Sequence, residues 1–324
     1  MNDYRINQNY AKALYLLAGT ATTFSVATPL LSASFNSLFG IPDTKWLTIA
    51  ILVVICLTYT ITVITGMKGV SYLAKVCMYV FGVLLLYVLL FGGKFFYIFE
   101  TGFSALGNMV QNFISLSTYT DPLRENSFPQ NWTIFYWAYW LVWCVASPFF
   151  MGSISRGRTI KQVILGAYIF GMSATLVSFV ILGNYGLGMQ MTGQFDAVAV
   201  YEARGNLYQT VIEVIITLPC YQIVLVLLIV SMISFYATSF DSITLVASAY
   251  SYKQIGDDEE ASTKMKLFWA ILLMLLPIAL IFNESGMTNL QSVSIIAAFP
   301  IGIVIIMIIA SFVKDAKIFI NNNK

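Results

Sequence analysis

Residues 131–161 read NWTIFYWAYWLVWCVASPFFMGSISRGRTIK. Trp132, Phe135, Tyr136, Trp137, Tyr139, Trp140 and Trp143 crowd its first half. An apolar run follows, interrupted at Ser147-Pro148 and Gly152, and Arg156 and Arg158 close it. Trp and Tyr gather where a membrane meets water, and Lys and Arg gather on the cytoplasmic side. A proline removes a helix hydrogen bond. The order therefore predicts a membrane helix that enters through an aromatic belt, breaks in mid-bilayer at Pro148 and Gly152, and ends on cytoplasmic arginines.

The composition around this stretch agrees. Of 324 residues, 59% are hydrophobic and 10% charged, and the mean hydropathy is +0.80. A soluble domain carries about 25% charged residues, so the chain is an all-α integral membrane protein by composition; its apolar runs are continuous, not alternating as in a β-barrel. The net charge of +2 gives no sign of nucleic acid as a partner. There is no histidine, which removes the commonest metal ligand and general base. Cys56, Cys77, Cys144 and Cys220 lie in apolar runs without a CxxC spacing and read as buried free thiols. No metal site, cofactor, nucleotide loop or nucleophile motif is present, so the chain reads as no enzyme. The polar N-terminus, MNDYRINQNY, has no signal-peptide pattern.

A helix needs about 20 apolar residues to span a bilayer. Eight stretches qualify, near 11–38, 46–66, 72–92, 133–154, 161–183, 221–249, 265–283 and 289–313. With both termini cytoplasmic, thirteen of the seventeen Lys and Arg fall on the inner side and only Lys45, Lys94, Arg124 and Arg204 on the outer. That bias orients a multi-pass plasma-membrane protein. Residues 94–118 and 205–219 mix apolar with polar and read as helices at the outer interface. Residues 119–129 read as a turn-rich loop, and Asp257 to Glu260 as a solvated acidic turn.

Intramembrane charge is rare and usually functional. Asp241 is the clear case, within FYATSFDSITL beside Thr238 and Ser239. Carboxylate and hydroxyl oxygens suit a small hard cation such as sodium; packing is the alternative role for Ser242 and Thr244. In the first span Thr20, Thr22, Thr23, Ser25 and Thr28 precede Pro29, either lining a cavity or facing another helix. In the aromatic run, Trp132, Tyr136 and Trp137 are interfacial anchors. Tyr139, Trp140 and Trp143 lie deeper, and Trp140 and Trp143 fall on one face at i, i+3. Aromatic faces attract a quaternary ammonium by about 0.5–2 kcal/mol per contact.

The run NWTIFYWAYWLVW followed by ISRGRTI resembles the signature of the betaine/carnitine/choline transporter family, W-T-x-F-Y-W-x-W-W, a broken helix, then R-I-S-R-G-R. ATPLLSASFNSLFGIP, TGMKGVSYLAKV, YTDPLRENSFPQNW, FYATSFDSITL, NLQSVSIIAAFP and FVKDAK extend the resemblance. It implies a LeuT-like core of two inverted five-helix repeats, of which this chain matches the C-terminal two-thirds. Residues 1–92 would supply the last three helices of the first repeat, 93–132 an outer interfacial helix and loop, 133–313 the second repeat and 314–324 a cytoplasmic tail; the family's first four helices would be missing from the stretch matched. Residue by residue, Trp140 and Trp143 match tryptophans of the family's substrate box, and Tyr139 stands where its third Trp usually is. Phe235, Thr238 and Ser239 match the sodium-site stretch, and Arg156 and Arg158 the inner gate, while Ser153 replaces an arginine. The resemblance implies transport of quaternary ammonium compounds such as glycine betaine, carnitine or choline by sodium symport. Two alternatives stand beside it: a sodium-independent carnitine/butyrobetaine exchanger, in which an arginine is expected where this chain has Cys77, and a non-transporting fragment or subunit. Partners would be the substrate, lipid, further copies of the chain, or a chain supplying the missing helices.

Overall fold

A computed structural model describes residues 28–125, 128–144, 147–155, 157–252, 261–281 and 286–322. Among these residues the regular structure is helical, with no strand. Helix α1 (28–39) leads into α2 (Lys45–Ile64) and α3 (Met67–Phe91). The Thr44 hydroxyl accepts from the Leu47 amide to start α2, meeting one of the unpaired donors of a helix N-terminus. Gly66, at φ 73°, turns the chain back into α3, a conformation that costs a glycine little.

The predicted outer segments form α4 (Phe95–Gln111) and α5 (Phe113–Thr118). After a loop held by the Gln130 amide on the Thr120 carbonyl, the π-helical turn Pro129–Ile134 enters α6 (Phe135–Trp143). Helix α7 (Ser147–Ile154) follows. A capping box of Thr159 and Gln162 opens the long α8, Ile160–Met191, which contains π-helical turns at Ala167–Met172 and Phe179–Gly183. The remainder comprises α9 (Ala197–Arg204), α10 (Leu207–Ile216), α11 (Tyr221–Tyr250), α12 (Thr263–Ile281) and α13 (Gly286–Asn322). Among the described residues, four helices are long and apolar enough to cross a membrane: α2, α3 from Lys68, α8 and α11.

Helix α11 is the centre of the packing. It lies against α2, α3 and α12, and α2 also lies against α12. Leu52, Ile55 and Tyr59 of α2 meet Ala237, Phe240 and Ile243 of α11 and Leu273 of α12 in one apolar core. A second core joins Leu84 and Val88 of α3, Ile98 of α4, Ile181 and Tyr185 of α8, and Val224 of α11. Helix α13 packs on α6.

In side-chain burial the structure departs from the sequence reading at the cysteines and at Lys266. Cys56 and Cys77 are buried, but Cys144 and Cys220 are exposed: Cys144 follows the last turn of α6, and Cys220 sits in a left-handed conformation ahead of α11. Lys266, counted among the inner-loop charges, is only 4% exposed, with its ammonium donating to the Val63 carbonyl at 3.4 Å. Helix α13 runs through residues 314–322 without a break, and no glycine or proline follows Gly302 to stop it.

Candidate functional site

Helix α6 sorts its own aromatics. Phe135 and Ala138 are buried and define its core face. Tyr139 lies next to that face, one turn on from Phe135, and the two rings stack with centroids 5.7 Å apart. Its ring also meets Trp143 edge-on at 6.1 Å. Trp143 packs against the core around α11, and its indole N–H is buried with no hydrogen-bond partner in the structure. Trp140 points elsewhere and is 63% exposed, touching Tyr139 edge-on at 5.9 Å. At about 100° per residue, Trp143 leaves the helix about 40° from Tyr139 and Trp140 about 100° from it, so the two tryptophans, about 60° apart, straddle the edge of the core face with Trp140 on its outer side.

Opposite Tyr139 stands Tyr236 of α11. It is buried and lies within electrostatic reach of Tyr139 and Tyr208 and in hydrogen-bonding reach of Thr28. The structure thus brings Tyr139 and Trp143 to α11 and adds Tyr236 and Thr28, four residues from three helices. Tyr236 was readable only as the neighbour of Phe235, since nothing in the spacing marks which tyrosine of a helix faces inward. Thr28 belongs to the first-span hydroxyl cluster; Thr20, Thr22, Thr23 and Ser25 lie outside the described residues.

On α11, Phe235 is 42% exposed and meets Phe81 of α3 edge-on at 5.1 Å. The Thr238 hydroxyl donates to the Phe235 carbonyl at 2.9 Å, with the Ser234 carbonyl at 3.0 Å, and Ser239 donates to the Phe235 carbonyl at 3.0 Å. Each hydroxyl proton is therefore directed back into its own helix, which leaves the oxygen lone pairs facing away from it. Asp241 does not join them. It is 0% exposed and faces α2, where Thr62 Oγ1 lies 3.4 Å from its Oδ2.

Helix α6 ends at Trp143 and α7 begins at Ser147. Pro148 falls in the first turn of α7, where a missing N–H is tolerated, and Gly152 lies in its interior. Arg158 is exposed in the turn that its amide closes on the Ser155 carbonyl. Arg156 and the acidic run 257–260 lie outside the described residues. Among the described residues no group of three His, Cys, Asp or Glu gathers to hold a metal ion.

Residues 10–318 match the model of the betaine/carnitine/choline family transporters. The chain is 29% identical over 299 residues to a carnitine transporter of Acinetobacter baumannii, covering 91% of this chain and 52% of that one. It is 29% identical over 322 residues to the glycine betaine transporter OpuD of Bacillus subtilis, covering 96% and 60%. It is 24% identical over 312 residues to the uncharacterized transporter YeaV of Escherichia coli, covering 94% and 64%. The chain thus spans 52 to 64% of the length of these relatives.

Proposed function

Because the chain belongs to the betaine/carnitine/choline transporter family, we propose that it carries half of a transport site for a zwitterionic quaternary ammonium compound of the betaine and carnitine class. The observation that supports this most directly is the pairing of Tyr139 with Trp143 and its partnerless, buried indole N–H. Ring faces attract a trimethylammonium group, which has no hydrogen to donate. A buried N–H without an acceptor is costly, and a substrate carboxylate relieves that cost. One side chain then serves both ends of the same molecule. Thr238 and Ser239, with outward lone pairs, supply hard oxygens for a coupling sodium ion. The protein would lie in the plasma membrane with both termini cytoplasmic, in accord with the lysine and arginine bias.

The test is ligand affinity in the purified chain reconstituted in lipid nanodiscs, measured calorimetrically for glycine betaine, carnitine and choline. Trp143→Phe keeps a ring and removes the donor. It should weaken glycine betaine and carnitine by about 1–3 kcal/mol, the cost of an unmade buried hydrogen bond, and leave choline, which has no carboxylate, almost unchanged. Equal loss for all three ligands would refute the carboxylate role. Failure of Tyr139→Ala to weaken any of them would remove the site.

A further inference from the structure

Ser239 leaves α11 about 160° from Asp241 and Thr238 about 60° from it; the Thr238 and Ser239 hydroxyls turn back to the Phe235 carbonyl while Asp241 meets α2, so the polar stretch Thr238–Ser242 serves two different places. The Thr238–Ser239 oxygens are one. The other lies at the crossing of α11 with α2. There Thr62 Oγ1 is 3.4 Å from Asp241 Oδ2, and Ser242 Oγ is 3.2 Å from Oδ1. The Ser242 amide also donates to the carboxyl group.

Proton counting makes this arrangement unusual. The Thr62 hydroxyl has one hydrogen and a nearer acceptor, the Tyr59 carbonyl at 2.9 Å. The Ser242 hydroxyl likewise has the Thr238 carbonyl at 2.9 Å. With both hydrogens on those carbonyls, four side-chain oxygens converge at the crossing and present lone pairs to one another. An ionised carboxylate in such a place is costly without a counter-charge. The titratable side chains buried on the surrounding helices are Cys56 and Tyr59 on α2, Cys77 on α3 and Lys266 on α12. Of these, Tyr59 donates its hydroxyl to the Ala270 carbonyl and Lys266 donates to the Val63 carbonyl.

We propose that Asp241, Thr62 and Ser242 form a small-cation site at the α2–α11 crossing, separate from the Thr238–Ser239 oxygens. Hard oxygen donors around a single buried negative charge suit a monovalent cation. A proton on Oδ2 donated to Thr62, or a sodium ion bridging the oxygens, meets the same need. The site does not depend on the aromatic pair; it bears on the transport reading only as a second place for a coupling ion.

The experiment reads thermal unfolding of the purified chain in nanodiscs. One arm titrates sodium against potassium at constant ionic strength and fixed pH; the other lowers the pH without sodium. A ligand that binds only the folded state raises the unfolding temperature. The expected result is a rise in at least one arm that persists in the Thr238→Ala/Ser239→Ala double variant, is reduced in Asp241→Asn and vanishes when Asp241→Asn is added to the double variant. A rise with sodium identifies sodium as the ion, and a rise on acidification alone identifies the proton. Should Asp241→Asn not fold, Thr62→Val keeps the carboxyl group and should weaken the apparent cation affinity by about tenfold or more, as loss of an orienting partner does at metal sites. The proposal is overturned if neither arm stabilises the wild type, if Asp241→Asn or a folded Thr62→Val responds as the wild type does, or if the response disappears in the double variant. The last outcome would return the ion to Thr238 and Ser239 and leave the transport reading intact.

Discussion

Tyr59 lies wholly within the protein, and its hydroxyl donates to the Ala270 carbonyl on α12 at 2.6 Å. The Cys56 thiol reaches the same carbonyl at 3.9 Å. Interhelical hydrogen bonds in membranes contribute modestly, because the separated helices also find partners. Tyr59→Phe should therefore cost only about 0.6–1 kcal/mol, read as a small fall in unfolding temperature with ligand affinity unchanged. A large fall would mean that the hydroxyl orders more than the α2–α12 contact. Legibility differed sharply at this scale. The aromatic run and the Thr238–Asp241 stretch stood out by residue type alone. The inward turn of Tyr139 and Trp143, the outward turn of Trp140 and the burial of Lys266 did not, because each depends on which neighbour a helix face meets. Lys266 is the clearest case: its aliphatic stem lies in the protein while its ammonium sits on the carbonyl end of α2, a position that favours a cation.

At the scale of elements, helix starts and close approaches are set by a few side chains. Asp196 opens α9 by accepting from the Ala199 amide at 3.0 Å and from the Gln190 side-chain amide at 3.0 Å. Those donors, the Ala199 amide foremost, hold its carboxyl below the ordinary carboxylate value. A depressed value in the folded state means that the cap contributes fully above the unfolded-state value and is lost as the pH falls through the folded one. Protection of the Ala199 amide against hydrogen exchange should therefore decline on acidification, while Asp196→Asn, which still caps but does not titrate, should show no such decline. Loss of protection in both proteins alike would exclude the carboxylate as cause. Gly102 sets a different limit, where α4 approaches α8. A Cβ there would stand 2.5 Å from Val180 Cγ1, and valine has little freedom to turn aside. Gly102→Ala should cost about 1–3 kcal/mol, and a neutral result in an unfolding assay would show that α4 can lift from α8. The positions of these helices were readable from hydropathy and charge. The shared boundary of α4 and α8 was not, since an isolated glycine in an apolar run does not name the helix it lies against.

At the scale of the whole molecule, the rings that belong to the proposed site face two ways. Tyr139 and Trp143 meet α11, whereas Trp140 is 63% exposed and Phe235 42% exposed. Helix α8 is also exposed along most of its length. Exposed apolar surface in a membrane protein faces lipid or another helix. The family's alternating access relies on two repeats that move against each other about a central site, and this chain spans 52 to 64% of the length of its relatives. We therefore expect ligand binding by the chain alone to be weak, because cation–π contact comes from one wall only. Reconstituted alone in proteoliposomes, it should give no uptake of radiolabelled glycine betaine above empty vesicles. Co-reconstitution with a segment supplying the family's preceding helices should produce uptake, and Trp140→Ala should abolish that uptake while leaving the residual binding by the isolated chain nearly unchanged, since Trp140 matters only once a second wall covers it. Saturable uptake by the chain alone, or an equal effect of Trp140→Ala on binding by the isolated chain, would show that the site is closed by the helices described here, or by further copies of them.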